Sequence, residues 1–105
     1  MDGARKKMRV VSKRTLAIFW TAYPQAAGPL GAWYDAISSR EWKNITELRQ
    51  LSRTVDYVGG DRFVFNIAGN KFRLIVRIDF RSQLAFVRFI GTHKEYDGID
   101  DVSSV

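Results

Sequence analysis

Lys71-Phe72-Arg73-Leu74-Ile75-Val76-Arg77-Ile78-Asp79-Phe80 decides the fold of this chain. Its residues alternate between apolar and polar. Phe72, Leu74, Val76, Ile78 and Phe80 take one face, and Lys71, Arg73, Ile75, Arg77 and Asp79 take the other. A period of two is that of a strand with one buried face. Arg62-Phe-Val-Phe-Asn-Ile67 has the same period, with Phe63, Phe65 and Ile67 together and Asn66 on the opposite side. Ala68-Gly-Asn70 between the two runs is turn chemistry. After the Arg81-Ser82 turn, Gln83–Gly91 forms a third run. There Ala85, Val87 and Phe89 share one side, and Leu84, Phe86, Arg88 and Ile90 share the other. These runs predict an antiparallel meander.

Upstream the period changes to that of helices. Leu16, Phe19, Trp20 and Tyr23 mark one helical face over Lys13–Tyr23, with Ser12 placed to cap it and Pro24 placed to end it. Leu30, Trp33, Tyr34 and Ile37 repeat the spacing over Ala26–Ser39. A third, shorter helix is expected over Thr46–Leu51, with Ile45, Leu48 and Leu51 inward and Asn44 or Thr46 as its cap. Met8–Val11 is a short strand candidate. The segment His93–Asp97 predicts a terminal turn or helix. Helices grouped before strands give an α+β class, a helical hairpin packed on one face of a small antiparallel sheet. The other sheet face is expected to be open and polar. Residues 1–7 read as a flexible leader, 8–99 as a single domain and 100–105 as a loose tail.

Composition narrows the chemistry. The chain of 105 residues is 46% hydrophobic and 13% aromatic, enough for one globular core. It has no cysteine, which removes disulfides, thiolate zinc sites and thiol nucleophiles. No signal peptide and no membrane span are visible, so a cytoplasmic location is expected. Gly-rich nucleotide loops, zinc-protease motifs and nucleophile elbows are absent too. The net charge of +6 points to an anionic partner, with nucleic acid first among them. In the meander, Arg62, Lys71, Arg73, Arg77, Arg81, Arg88 and Lys94 are opposed by Asp79 alone. Many solvated strands carry Lys and Arg. Here, however, Lys71, Arg73 and Arg77 share a face with Asn66, and Arg geometry suits phosphate oxygens.

Gly91-Thr-His-Lys-Glu-Tyr-Asp97 sets the only histidine of the chain beside a tyrosine and two carboxylates. RNA can be cut without metal when a base takes the ribose 2′-OH proton, cations stabilise the phosphorane and an acid protonates the leaving 5′-oxygen. Histidine serves as base or acid near neutral pH, tyrosine stacks or moves a proton, and arginine stabilises developing charge. A lone histidine near a chain end is also a common surface or capping residue. A His93, Glu95 and Asp97 metal site is disfavoured by the lack of a second histidine, and no metal or other cofactor is expected.

Arg9-Val-Val-Ser-Lys-Arg-Thr-Leu16, Ala32-Trp-Tyr34, Trp42, the block Val64–Leu74 and the block Arg88–Asp97 resemble the HigB branch of the RelE-like toxins. The resemblance runs from about Met8 to Ile99; the leader departs from it, since related toxins begin near Met8. It implies a RelE-like fold and membership of a type II toxin–antitoxin system. It also implies cleavage of translated mRNA on the ribosome by metal-independent 2′-OH attack, which inhibits translation. His93, Tyr96 and Asp97 match the family's catalytic stretch, and Arg73 and Arg88 its basic sheet residues. Lys71, Arg77, Asn66 and Lys94 are then candidate RNA-binding residues. The implied partners are a HigA-like helix-turn-helix antitoxin, in a toxin–antitoxin hetero-oligomer, and mRNA with the ribosome. The competing readings are an RNA-binding module that does not cut, and a domain whose basic face only docks an acidic partner.

Overall fold

A computed structural model describes residues 6–105. Of the expected leader, residues 1–5 therefore lie outside the described residues, and Lys6 and Lys7 are exposed without regular structure. The elements are β1 (Arg9–Val11), α1 (Lys13–Ala22), a 3-10 turn (Pro24–Ala26), α2 (Ala27–Ile37), α3 (Ile45–Leu51), β2 (Asp56–Gly59), β3 (Arg62–Ile67), β4 (Phe72–Asp79), β5 (Leu84–Thr92) and α4 (His93–Asp97). The sheet order is β1-β5-β4-β3-β2. β2 to β5 form the antiparallel meander, and β1 adds a parallel edge beside β5.

The core follows the alternation of β4. Leu74 and Val76 are wholly buried and Phe72 and Ile78 nearly so, and they pack in one cluster with Leu16, Leu30, Trp33 and Ile37 of the helices. Each such side chain taken from water stabilises the fold by about 1.5–3 kcal/mol before entropy is counted. Trp33 meets Phe65 edge to face at 5.5 Å, which locks α2 to the sheet.

Several local expectations change. Ser12 makes no side-chain cap to α1. Its backbone is left-handed (φ 75°), and its carbonyl accepts the Thr15 N–H instead. Asn44 does cap α3, accepting the Glu47 N–H at 3.0 Å. Pro24 ends α1 by opening the 3-10 turn, so α2 starts at Ala27. β2 has no alternation to mark it, and it is held by pairing with β3 and by the Tyr57–Phe63 ring contact.

The third run corrects the alternation. Ile75 pairs with Phe89, but Val76 pairs with Val87, so Arg88 is an extra residue in β5. Such a bulge switches the side-chain phase. Phe89 therefore shares the face of Ile75, and Ile90 packs against the core, opposite Leu74. Nor is the outer face open, because Ile75 and Val64 on it are 0% and 5% exposed. α4 and the chain after it run along this side, and residues 100–105, expected to be loose, make defined contacts there.

One polar side chain is buried among these layers. Gln83 donates to the Trp42 and Phe80 carbonyls at 2.6 Å each and accepts the Trp42 N–H at 3.0 Å. It ties the loop after α2 to the β4–β5 turn. Gln83→Ala leaves those backbone groups unpaired and is expected to cost about 1–3 kcal/mol in urea unfolding. Ser12→Gly, which suits a left-handed backbone and loses no cap, is expected to keep or raise the midpoint.

Candidate active site

β5 passes into α4 without a loop. Thr92 caps the helix, its hydroxyl accepting the Glu95 N–H at 3.1 Å while the Glu95 carboxylate accepts the Thr92 N–H at 2.8 Å. This reciprocal box fixes where the helix begins. The His93 N–H adds a bond to the Lys71 carbonyl at 3.1 Å. With α4 so placed, His93 and Asp97 stand one turn apart, and His93 Nδ1 lies 2.9 Å from Asp97 Oδ2. The two are 48% and 60% exposed at their side chains, so a large ligand reaches both.

Arg73 joins them from β4. Its guanidinium carbon is 5.9 Å from the Tyr96 ring centroid, at the edge of cation–π range. Asn70 steadies it, accepting from Arg73 at 3.2 Å through both its carbonyl and its side-chain oxygen. His93, Asp97, Tyr96 and Arg73 thus share one exposed corner. In the tautomer that donates Nδ1–H to Asp97, the imidazole presents a free Nε2 lone pair to a substrate. A proton acceptor oriented by a carboxylate, beside a cation, suits a reaction with an anionic transition state. Glu95, considered above as a metal ligand, is committed to the Thr92 N–H.

The other expected residues are spread out. Asn66 pairs with Arg73 across the strands, and Arg73 with Gly91, so Asn66 borders the corner. Its amide donates to Thr54 Oγ1 at 3.1 Å. Lys94 is exposed on α4. Lys71 departs from the face that its phase predicts. It lies in the turn before β4, and its ammonium donates to Gln25 Oε1 at 2.9 Å, on the helical side. Arg77 pairs with Arg62 and sits over the Phe86 ring at 5.6 Å, away from the corner. Arg88 is not gathered with His93 either. It precedes Gly91 by three residues, about 10 Å at ~3.3 Å per residue, and its Nε–H donates to the Val105 main-chain oxygen at 3.1 Å.

Three residues escaped the sequence reading. Asn70, read only as turn chemistry, holds Arg73. Arg62 lies on the same face as Asn66, as its phase in β3 already allowed. Gly91 makes room, since a Cβ there would lie 2.6 Å from Phe89 Cζ and 2.9 Å from Glu95 Oε1. A cleft of about 440 Å³ between α2, α3 and β3, lined by Trp33, Gln50 and Phe65 among others, offers no acid, base or cation. None of the candidate acid–base residues lines that cleft; His93, Tyr96, Asp97 and Arg73 lie at the open corner.

Residues 26–99 match the model of the HigB toxin family, described as the RelE-like toxic component of a toxin–antitoxin system. The chain is also similar to the mRNA interferase toxin HigB of Escherichia coli (strain K12). The two are 30% identical over 93 residues, covering 86% of this chain and 88% of that one. The mRNA interferase HigB of Shigella flexneri gives the same values. The mRNA interferase HigB of Escherichia coli O6:H1 is 28% identical over 92 residues, covering 86% and 89%.

Gly91→Ala tests the packing of the corner. The added methyl is expected to displace the Phe89 ring and to cost about 1–3 kcal/mol, as overpacking does. Shifted Phe89 ring resonances and a lower unfolding midpoint are the readouts, and an unmoved ring would show that Gly91 is not needed for space.

Proposed function

This chain belongs to the HigB toxin family, the RelE-like toxic component of a toxin–antitoxin system, and from that premise we propose that it is an mRNA interferase acting through the His93 corner. The observation that carries the reading is the 2.9 Å contact between His93 and Asp97 beside Arg73 and Tyr96. In the reaction the ribose 2′-oxygen attacks the adjacent phosphorus and the bond from phosphorus to the 5′-oxygen breaks. The products are a 2′,3′-cyclic phosphate and a free 5′-hydroxyl. His93 Nε2 takes the 2′-OH proton, and Asp97 orients the ring and stabilises the imidazolium. Arg73 neutralises charge on the non-bridging oxygens.

The leaving 5′-oxygen sits opposite the attacking oxygen, so a single imidazole does not serve both ends. Tyr96 is the second proton carrier of the corner, and its ring is also a platform for a base. With one histidine in the whole chain, the acid–base set is thin. Orientation of the message must then supply much of the rate, which favours cleavage of mRNA held on the ribosome. Asn66 and Lys94 flank the path of the RNA. A cytoplasmic site of action follows from that substrate. The antitoxin that the family implies is proposed to be HigA-like, with a helix-turn-helix, and to form a hetero-oligomer with this chain.

Induction of the chain alone in a bacterial host, followed by primer extension, tests this. New 5′ ends are expected in an abundant translated message and not in an untranslated RNA. His93→Ala is expected to lower cleavage by about 10²- to 10⁴-fold, the usual share of a general acid–base group, and to relieve growth arrest. Growth without new ends would reject the activity, and strong cutting of naked RNA by pure protein would reject the need for the ribosome.

A further inference from the structure

The cleft between α2, α3 and β3 holds no proton carrier, yet its lining is that of a binding site. It measures about 440 Å³, within the ~300–1,000 Å³ typical of small-molecule sites. Trp33, Leu51 and Phe65 give it apolar walls, and Gln50, Ser52 and Asn66 bring polar groups. None of the described residues that line it carries a charge.

Its wall contains an unmet donor. Trp33 is 4% exposed, and among the described residues its Nε1–H has no hydrogen-bond partner. Trp42 is equally buried, but its Nε1–H donates to the Ile37 carbonyl at 2.8 Å. A buried N–H left unpaired weakens a fold, and native proteins keep few of them. The two amides of the cleft are each half used. Gln50 Oε1 accepts from Arg40 Nη1 at 3.1 Å, and its NH₂ has no acceptor among the described residues. Asn66 Nδ2 donates to Thr54 Oγ1 at 3.1 Å, and its side-chain oxygen has no donor among them. The cleft thus offers N–H donors and a carbonyl acceptor, all of them neutral. Its place in the fold adds a second fact. Asn66 lines the cleft and pairs with Arg73, so this wall lies one strand spacing, about 4.8 Å, from the strand that carries Arg73.

We propose that this cleft takes one unpaired nucleobase of the RNA, close to the phosphate that is cut, and that Trp33, Gln50 and Asn66 read its edge. The inference rests on the RNA-cleaving reading above and deepens it by adding a specificity site. A neutral lining does not suit a phosphate, which is held by cations. An apolar side chain would leave the Trp33 N–H unpaired. A base answers each feature. Its flat ring suits the apolar walls, its ring nitrogens or carbonyl oxygens accept from Trp33 and Gln50, and its own N–H groups donate to the Asn66 oxygen. Single-stranded RNA is read in this way, through unstacked bases bonded along their edges. Cutting then favours messages that carry the matching base at one fixed position from the cut. Arg73 and His93 act on a backbone common to all sequences, and the cleft supplies the choice among them.

The test uses the full chain and short oligoribonucleotides with 2′-O-methyl groups, which bind but are not cut, each beside copies that lack one base. Binding is expected to move the indole N–H resonance of Trp33 downfield as it gains an acceptor, while that of Trp42 stays in place. Removing the base at one position is expected to abolish that shift and to weaken binding by about tenfold, the worth of one or two hydrogen bonds. Ala32→Leu, on the exposed rim of the cleft, is expected to fill it, so that intact and base-lacking oligomers bind alike. In cells the same variant is expected to flatten the base preference of the mapped cut sites. Where Ala32→Leu fails to fold, Gln50→Ala removes one reading group and is expected to reduce the advantage of the intact oligomer by about threefold. An unmoved Trp33 resonance, equal binding of intact and base-lacking oligomers, no binding, or an unchanged preference in the filled cleft overturns the inference. Cleavage of a translated message by the full chain is scored separately. Its absence, with the base-dependent Trp33 shift intact, counts against the activity and not against this site.

Discussion

One extra residue in β5 governs the outer half of this molecule. Opposite the Ile75–Val76 step of β4, the partner strand carries Arg88 in addition to Val87 and Phe89. An unbulged strand in the same register would send Phe89 into the core and Ile90 to the outside. The bulge reverses both. Ile90 completes the core beside Leu74, Phe89 covers Ile75, and Gly91 and Thr92 fall opposite Arg73 and Phe72. That last register starts α4 at His93 and brings the Tyr96 ring to 5.9 Å from the Arg73 guanidinium. The same residue that makes the bulge, Arg88, is turned outward to meet the tail. Two arginine-bearing regions on one sheet face are thus set apart by a single step in strand pairing.

The corner itself is held by short-range bonds rather than by burial. The Thr92–Glu95 box, the His93 N–H to the Lys71 carbonyl and the grip of Asn70 on Arg73 are all local. None removes the functional groups from water. The arrangement suits a site whose ligand is larger than any cleft, since a long polyanion brings its own surface to exclude solvent. On the reading proposed above, the exposed His93–Asp97 contact acts by orienting the ring, since a contact this open to water adds little to stability.

Much of the fold was legible because the decisive segments are strongly periodic. β4 alternates without a break, so its core face was readable residue by residue, and α1 and α2 declare their inward faces through aromatic spacing. Asn44 was readable because a side-chain cap is a local event. The bulge was not readable, since it is a mismatch between two strands and leaves no mark in either alone. β2 was missed for a related reason, as Asp56-Tyr-Val-Gly59 gains its strand character from β3. The same limit hid the parallel pairing of β1, which looks like any short apolar strand. Ser12 has the right chemistry for a cap, but its backbone turns left-handed. In the candidate corner, His93, Asp97 and Tyr96 lie within one short helix, so their nearness could be read from sequence spacing. Arg73 was placed by phase. Lys71 was misplaced because phase has no meaning in a turn, and Arg62 was passed over because its distant partner, the Val105 main-chain oxygen, cannot be seen from β3.

The parallel pairing of β1 with β5 joins Arg9–Val11 to Leu84–Phe86, and it has a consequence for how the protein is born. A chain made from its amino end holds β1 and α1 without their sheet partner until nearly all the other elements have emerged. The helices form early from local contacts, but the edge of the sheet closes only across that long separation, and such contacts are slow to form. The segment bearing His93 follows β5 immediately and is still later to leave the exit tunnel. The sheet therefore stays without its β1 edge through most of the chain's own synthesis, and the corner that carries His93 is the last part to be assembled.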